Sequence, residues 1–236
     1  TNGLHFAWDL DGDGQYDDGT DQSTVTFNYA TPGYYTVGLM VSNVANSNAV
    51  LVRPNYIKVE PSILYVAPDG SQTPPFDTWA KAARDIPSAL NQAYDTGSTN
   101  NRATVMVADG IYTQSTTFAF TKGVHVKSVN GPATTVMYGT GTNRVAFVNH
   151  SNALLEGFTL TNGVAFVGGI LNYGGGVYLT NGTLRNCWIV GNLATNGAYG
   201  AGAVVFSNGV LDSCQIRANR TPAAGSYGGG VYFFYG

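Results

Sequence analysis

VYLTNGTLRNCWIVGN at 177–192 and VVFSNGVLDSCQIRAN at 204–219 align without a gap at a period of 27 residues, and Val231 opens a further copy. On this alignment Val177 superposes on Val204 and Val231, Leu184 on Leu211, Cys187 on Cys214, Ile189 on Ile216 and Asn192 on Asn219. An earlier unit, ALLEGFTLTNG at 153–163, joins at an offset of 29 and places Leu155, Phe158 and Leu160 in the same columns. A unit of this size cannot bury its apolar residues alone. Stacked on a neighbour about 4.8 Å away it can, so each unit is one coil of a parallel solenoid.

Several expectations follow for side chains. Leu155, Leu184 and Leu211, with Leu160, Ile189 and Ile216, form the inward columns. Cys187 and Cys214 continue a column begun by Phe158 and act as small buried thiols rather than a disulfide. Asn192 and Asn219 ladder their amides at a turn. The glycines at 174–176, 200, 202 and 228–230 are corners, not phosphate loops.

The rest of the chain agrees with an all-β, turn-rich protein. Of its 236 residues 44% are hydrophobic and only 11% charged, against a usual share of about 25%, and 31 are glycine. A net charge of −3 offers no basic surface to nucleic acid, and no apolar run reaches the roughly 18 residues of a membrane span. ATVMVADGIYT, VHVKSV, TTVMYG and RVAFVNH read as strands between 103 and 150. The convincing helix signal is at 86–95, with Asp85 as its cap, Pro87 in its first turn, and Ile86, Leu90, Ala93 and Tyr94 on one face. It suits a lid over the first coil.

Residues 1–60 read as a separate module of short antiparallel strands: HFAW, the alternating Thr24–Tyr29, YTVGLMVSN after a Pro32-Gly33 turn, and LVRPNYIKV. The loop Asp9–Asp21 holds six of the chain's fourteen acidic residues. Asp9, Asp11 and Asp13 with Gly14 match positions 1, 3, 5 and 6 of a calcium loop, and Asp17 falls at position 9. Thr20 stands where a bidentate Glu belongs and no helices flank the loop, so it is no EF-hand; Asp18 or Asp21 would close the shell. Calcium on Asp9, Asp11, Asp13, Asp17 and Asp18 is therefore expected, with a solvated acidic turn as the alternative.

WDLDGDG with YATPGYYTVGLMVSN resembles the polycystic kidney disease (PKD) domain, an immunoglobulin-like sandwich, over roughly its last two-thirds. The opening strands of that family are missing here. The resemblance implies an extracellular spacer or binding module beside carbohydrate-active or adhesive domains. YVAPDG, the helix and ATVMVADGIYT resemble the opening of pectate-lyase-like right-handed parallel β-helix proteins, while GGGVYL, IVGN and IRAN look like the Gly-rich repeats of outer-membrane adhesins. The expected fold is thus all-β: a partial immunoglobulin-like sandwich at 1–60, then a right-handed parallel β-helix with a short N-terminal capping helix at 61–236. No leader sequence opens the chain and the last repeat is unfinished, so it reads as a piece of a longer secreted polypeptide.

Candidate chemistry is thin. Glu156, Arg185 and Asp212 follow the Leu155 column and stack outward with alternating sign, which is a weak candidate for a catalytic or uronate-binding patch and a better one for a charge ladder. An Arg between carboxylates lowers their pKa, which is wrong for a general acid. Trp188, beside Thr159 and Gln215, is a weak candidate for stacking on a sugar. His125 and His150 read as isolated packing histidines. Asn149, Asn181 and Asn219 head sequons, which matter only in a secretory eukaryotic setting. The function expected is an extracellular or cell-surface structural or adhesive module with carbohydrate as partner, and no nucleic acid. The alternatives are a polysaccharide lyase or glycoside hydrolase, and a filament assembling through open strand edges.

Overall fold

A computed structural model describes residues 3–45, 47–95, 97–100, 102–166, 172–222 and 224–234. Its contacts divide the chain into two compact units, Thr1–Pro61 and Ser62–Gly236.

The first unit is a four-stranded antiparallel sheet: β1 (Leu4–Asp9), β2 (Gly19–Thr20), β3 (Gly33–Asn43) and β4 (Asn48–Val59), in the order β2-β1-β3-β4. Period-two alternation in β1 and β3 sends Phe6, Trp8, Leu39 and Val41 to one face, in pairs Phe6 with Val41 and Trp8 with Leu39. Residues 24–29, expected as a strand, pair with no strand among the described residues. Val25, Phe27 and Tyr29 are nonetheless half-buried while Thr24, Thr26 and Asn28 are exposed. The alternation was legible; the hydrogen-bonded neighbour it needs is not among the described residues. β4 is an edge strand, and Val50, Leu51 and Val52 on it are each about half exposed.

The second unit is a parallel β-solenoid of about four turns. Its described strands lie in three parallel sheets. The longest runs Ile63–Val66, Thr104–Val107, His125–Ser128, Ala146–Glu156, Val177–Arg185, Ala203–Asp212 and Val231–Phe234, with Phe118–Phe120 also beside Ala146–Glu156. The second runs Gly110–Gln114, Thr135–Gly139, Thr159–Thr161, Trp188–Val190 and Gln215–Arg217. The third pairs Val164–Phe166 with Leu193–Thr195.

The expected columns form. Leu155 pairs with Leu184 and Leu184 with Leu211; Leu160 pairs with Ile189 and Ile189 with Ile216. Phe158, Leu160, Leu184, Cys187 and Ile189 are fully buried in one continuous core. The gapless period of 27 needs correction in its first half. Val177 pairs with Ala203, and Ala203 with Val231, so Val204 lies opposite Tyr178 instead. One additional residue in Ala203–Asp212 is absorbed by a register shift after Leu179, and the period of 27 resumes at Asn181 opposite Asn208.

The lid forms over Ile86–Gln92, three residues shorter than expected. Asp85 caps it, its carboxylate accepting from the Ser88 amide at 2.8 Å, and Ile86, Ala89 and Leu90 are buried. Lys122 ties down its far end, donating to the carbonyls of Leu90 and Ala93 at 2.8 Å. This satisfies carbonyls that a helix end leaves without partners.

Candidate functional site

The outward column beside Leu155 is longer than the sequence suggested. Lys127 pairs with Glu156, Glu156 with Arg185 and Arg185 with Asp212, so signs alternate over four coils. Glu156 does not share Arg185 as expected: its carboxylate meets His125 Nε2 at 3.0 Å and Lys127 Nζ at 3.4 Å. Arg185 Nε donates to Asp212 at 2.8 Å, and this bond, helped by the Ser213 hydroxyl, holds the Asp212 carboxyl below its usual range. His125 is therefore not isolated. Burial pushes its pKa below the ordinary 6.5, against the pull of Glu156. His150 also has a partner, Asp95 at 3.4 Å. An acid catalyst needs a carboxyl held protonated near neutrality, and these carboxylates face cations instead.

Trp188 faces outward between Thr159 and Gln215 as expected. The Arg217 guanidinium lies 5.0 Å from its ring centroid, so a cation already occupies that face. The asparagine ladder forms: Asn192 Nδ2 donates to Leu160 O and Asn219 Oδ1, each at 3.0 Å, and Asn192 Oδ1 accepts from the Gly163 amide at 2.8 Å. Asn219 Nδ2 donates to Ile189 O at 2.8 Å. Asn149 and Asn181 hydrogen-bond each other at 3.0 Å.

In the acidic loop Asp9, Asp11 and Asp18 each offer a carboxylate oxygen within 4.8 Å of the others. That spread suits one calcium ion with ligands at 2.3–2.6 Å. Asp13 and Asp17 stand outside this group, and Asp21 pairs with His5 at 2.8 Å. The loop is also shaped by its own amides: Asp9 accepts from Gly12 and Gly14, and Asp18 Oδ2 from Leu10 and Asp11. An ion would therefore use the remaining lone pairs of Asp9, Asp11 and Asp18.

The feature missed in the sequence is an aromatic wall on the outside of the solenoid. Tyr173, Tyr199 and Tyr227 bridge one another in successive coils, with Tyr199 and Tyr227 stacked at 5.4 Å. Phe147 stacks on Tyr178 at 5.3 Å, and Tyr178 on Tyr173 at 5.5 Å. Phe206 stacks on Phe234 at 4.8 Å, and Phe234 reaches Tyr199 and Tyr232. Arg144, buried beneath, places its guanidinium 4.8 Å from the Tyr178 ring. The signal was the triplet NYGGGV, AYGAGA and SYGGGV at 172–177, 198–203 and 226–231, whose unequal spacing hid it from a fixed period.

A comparison with protein-family models gives no match, and neither does one with curated proteins or with solved structures.

Proposed function

We propose that this chain is a non-catalytic structural and adhesive module of an extracellular or cell-surface protein, and that its solenoid is a rigid stalk that holds glycan along the aromatic wall. The wall is the observation that carries this reading. Solvent-facing positions of a solenoid are ordinarily polar, yet here rings recur in each of the last coils, at the coil rise of about 4.8 Å. Tyrosine suits an interface that stays wet, presenting an apolar ring with a hydroxyl that can bond a sugar. Tyr227, 55% exposed, is the most open of the rings in the wall. The paired charges of Glu156, Arg185 and Asp212 fit a stabilising ladder better than an acid–base site, so the lyase or hydrolase reading takes second place. In this account the first unit is a PKD-like spacer with calcium in its acidic loop. The second is a pectate-lyase-like, right-handed β-helix with adhesin-type repeats.

Affinity electrophoresis of the full chain in gels containing neutral or acidic polysaccharides tests the wall. Retardation is expected on at least one glycan and falls at least about five-fold in Tyr227→Ser and Tyr173→Ser, while Arg185→Ala leaves it unchanged. Retardation indifferent to both tyrosines would remove the wall from the account. The exposed edge of β4 with Val50, Leu51 and Val52 favours, as a second reading, self-assembly through added strands. Size-exclusion chromatography at rising concentration tests that reading, and a strict monomer would end it.

A further inference from the structure

We propose that Cys187 and Cys214 are an oxidisable dithiol, at which Cys214 captures a small-molecule disulfide and Cys187 resolves the adduct into a bond between adjacent coils. The register carries the inference. Arg185 pairs with Asp212 and Trp188 with Gln215, so the two cysteines occupy the same place in successive coils. The residue before each has the same left-handed backbone, Asn186 at φ 47 and Ser213 at φ 55, so both chains turn alike and the thiols are carried in parallel. A coil rise of about 4.8 Å lies inside the 4.4–6.8 Å between Cα atoms that a disulfide spans.

The thiol environments divide the roles. Both cysteines are free, Cys187 fully buried and Cys214 half-buried. Carbonyl oxygens of Arg185 and Leu155 lie 3.3 and 3.6 Å from Cys187 Sγ, and that of Leu184 lies 3.5 Å from Cys214 Sγ. Burial pushes the Cys187 thiol well up, and the neighbouring Cys187 thiol brings Cys214 down to about 7. Cys214 is thus the accessible nucleophile at neutral pH, and Cys187 is the neighbour that follows.

With oxidised glutathione as the oxidant, the Cys214 thiolate attacks one of its sulfurs, the glutathione disulfide breaks, and the leaving thiolate takes up a proton. Cys187 then gives up its proton and attacks the Cys214 sulfur, expelling the second glutathione. The two cysteines lose two electrons and two protons in all, and one glutathione disulfide becomes two thiols.

Intact-mass analysis of the full chain after incubation with oxidised glutathione near pH 8 tests this. The expected product is a monomer lighter by two hydrogens, with no glutathione retained and a crosslink between the peptides holding Cys187 and Cys214. Cys187→Ala should keep one glutathione on Cys214, and Cys214→Ala should keep its mass. The crosslink closes a loop of 27 residues and should raise the melting temperature by roughly 5–10 °C. A glutathione retained by the unmutated chain, a disulfide-linked dimer, or an unchanged mass would each overturn the proposal, and the mass measurement stands even if a variant fails to fold.

Discussion

Asn192 shows what one residue does in a stack of coils. Its amide is fully buried and satisfied on both sides, by Leu160 and Asn219 through Nδ2 and by Gly163 through Oδ1. Asn192→Ala strands the Gly163 amide and the Leu160 carbonyl without water, and should cost about 2–4 kcal/mol in chemical denaturation. A loss below about 1 kcal/mol would mean that the coil closes without the ladder. His125 gives the pH dependence a sign. Its folded pKa lies below the ordinary 6.5, so its contribution to stability is present above that value and is lost as pH falls through the folded one. Denaturation midpoints should fall between about pH 7.5 and 5.5, and His125→Gln should flatten that slope. The inward columns and the asparagines were legible because inward positions tolerate few residue types and so repeat visibly. The partners of Glu156 were not, because His125 and Lys127 lie in an earlier coil outside the repeat.

At the scale of elements, the corners and the acidic loop carry the remaining predictions. Gly200 turns at φ +62, and a Cβ there would collide with the Ala203 carbonyl oxygen. Gly200→Ala should therefore destabilise the solenoid by about 2 kcal/mol or more, visible as a lower urea midpoint. Calcium belongs to this scale because the site is a loop rather than a residue. Millimolar calcium should raise the melting temperature of the full chain, EDTA should reverse this, and Asp18→Asn should remove it. A melting temperature indifferent to both reagents would leave only a turn held by its own amides. The helix was legible from Asp85 and Pro87, whose capping roles depend on immediate neighbours. Residues 24–29 show the opposite case, since their alternation was plain but a strand exists only where a partner offers hydrogen bonds.

For the whole molecule, the repeat of 153–219 led directly to the parallel solenoid, and the turn-rich, weakly charged composition agreed with it. The register inside Ala203–Asp212 was not legible, because one additional residue is absorbed in three dimensions without disturbing the Asn208–Leu211 columns that follow. The aromatic wall was hidden by the same irregularity. Its tyrosines sit 26 and 28 residues apart, and only stacking brings them onto one surface. Activity was the least legible property, since a solenoid presents similar outward ladders whether it binds a glycan or cuts one. The most direct test incubates the full chain with a panel of neutral and acidic polysaccharides and follows retention and bond cleavage together. The account predicts retention that depends on Tyr227 with no cleavage; cleavage abolished by Arg185→Ala would contradict it and turn the charge ladder into an active site.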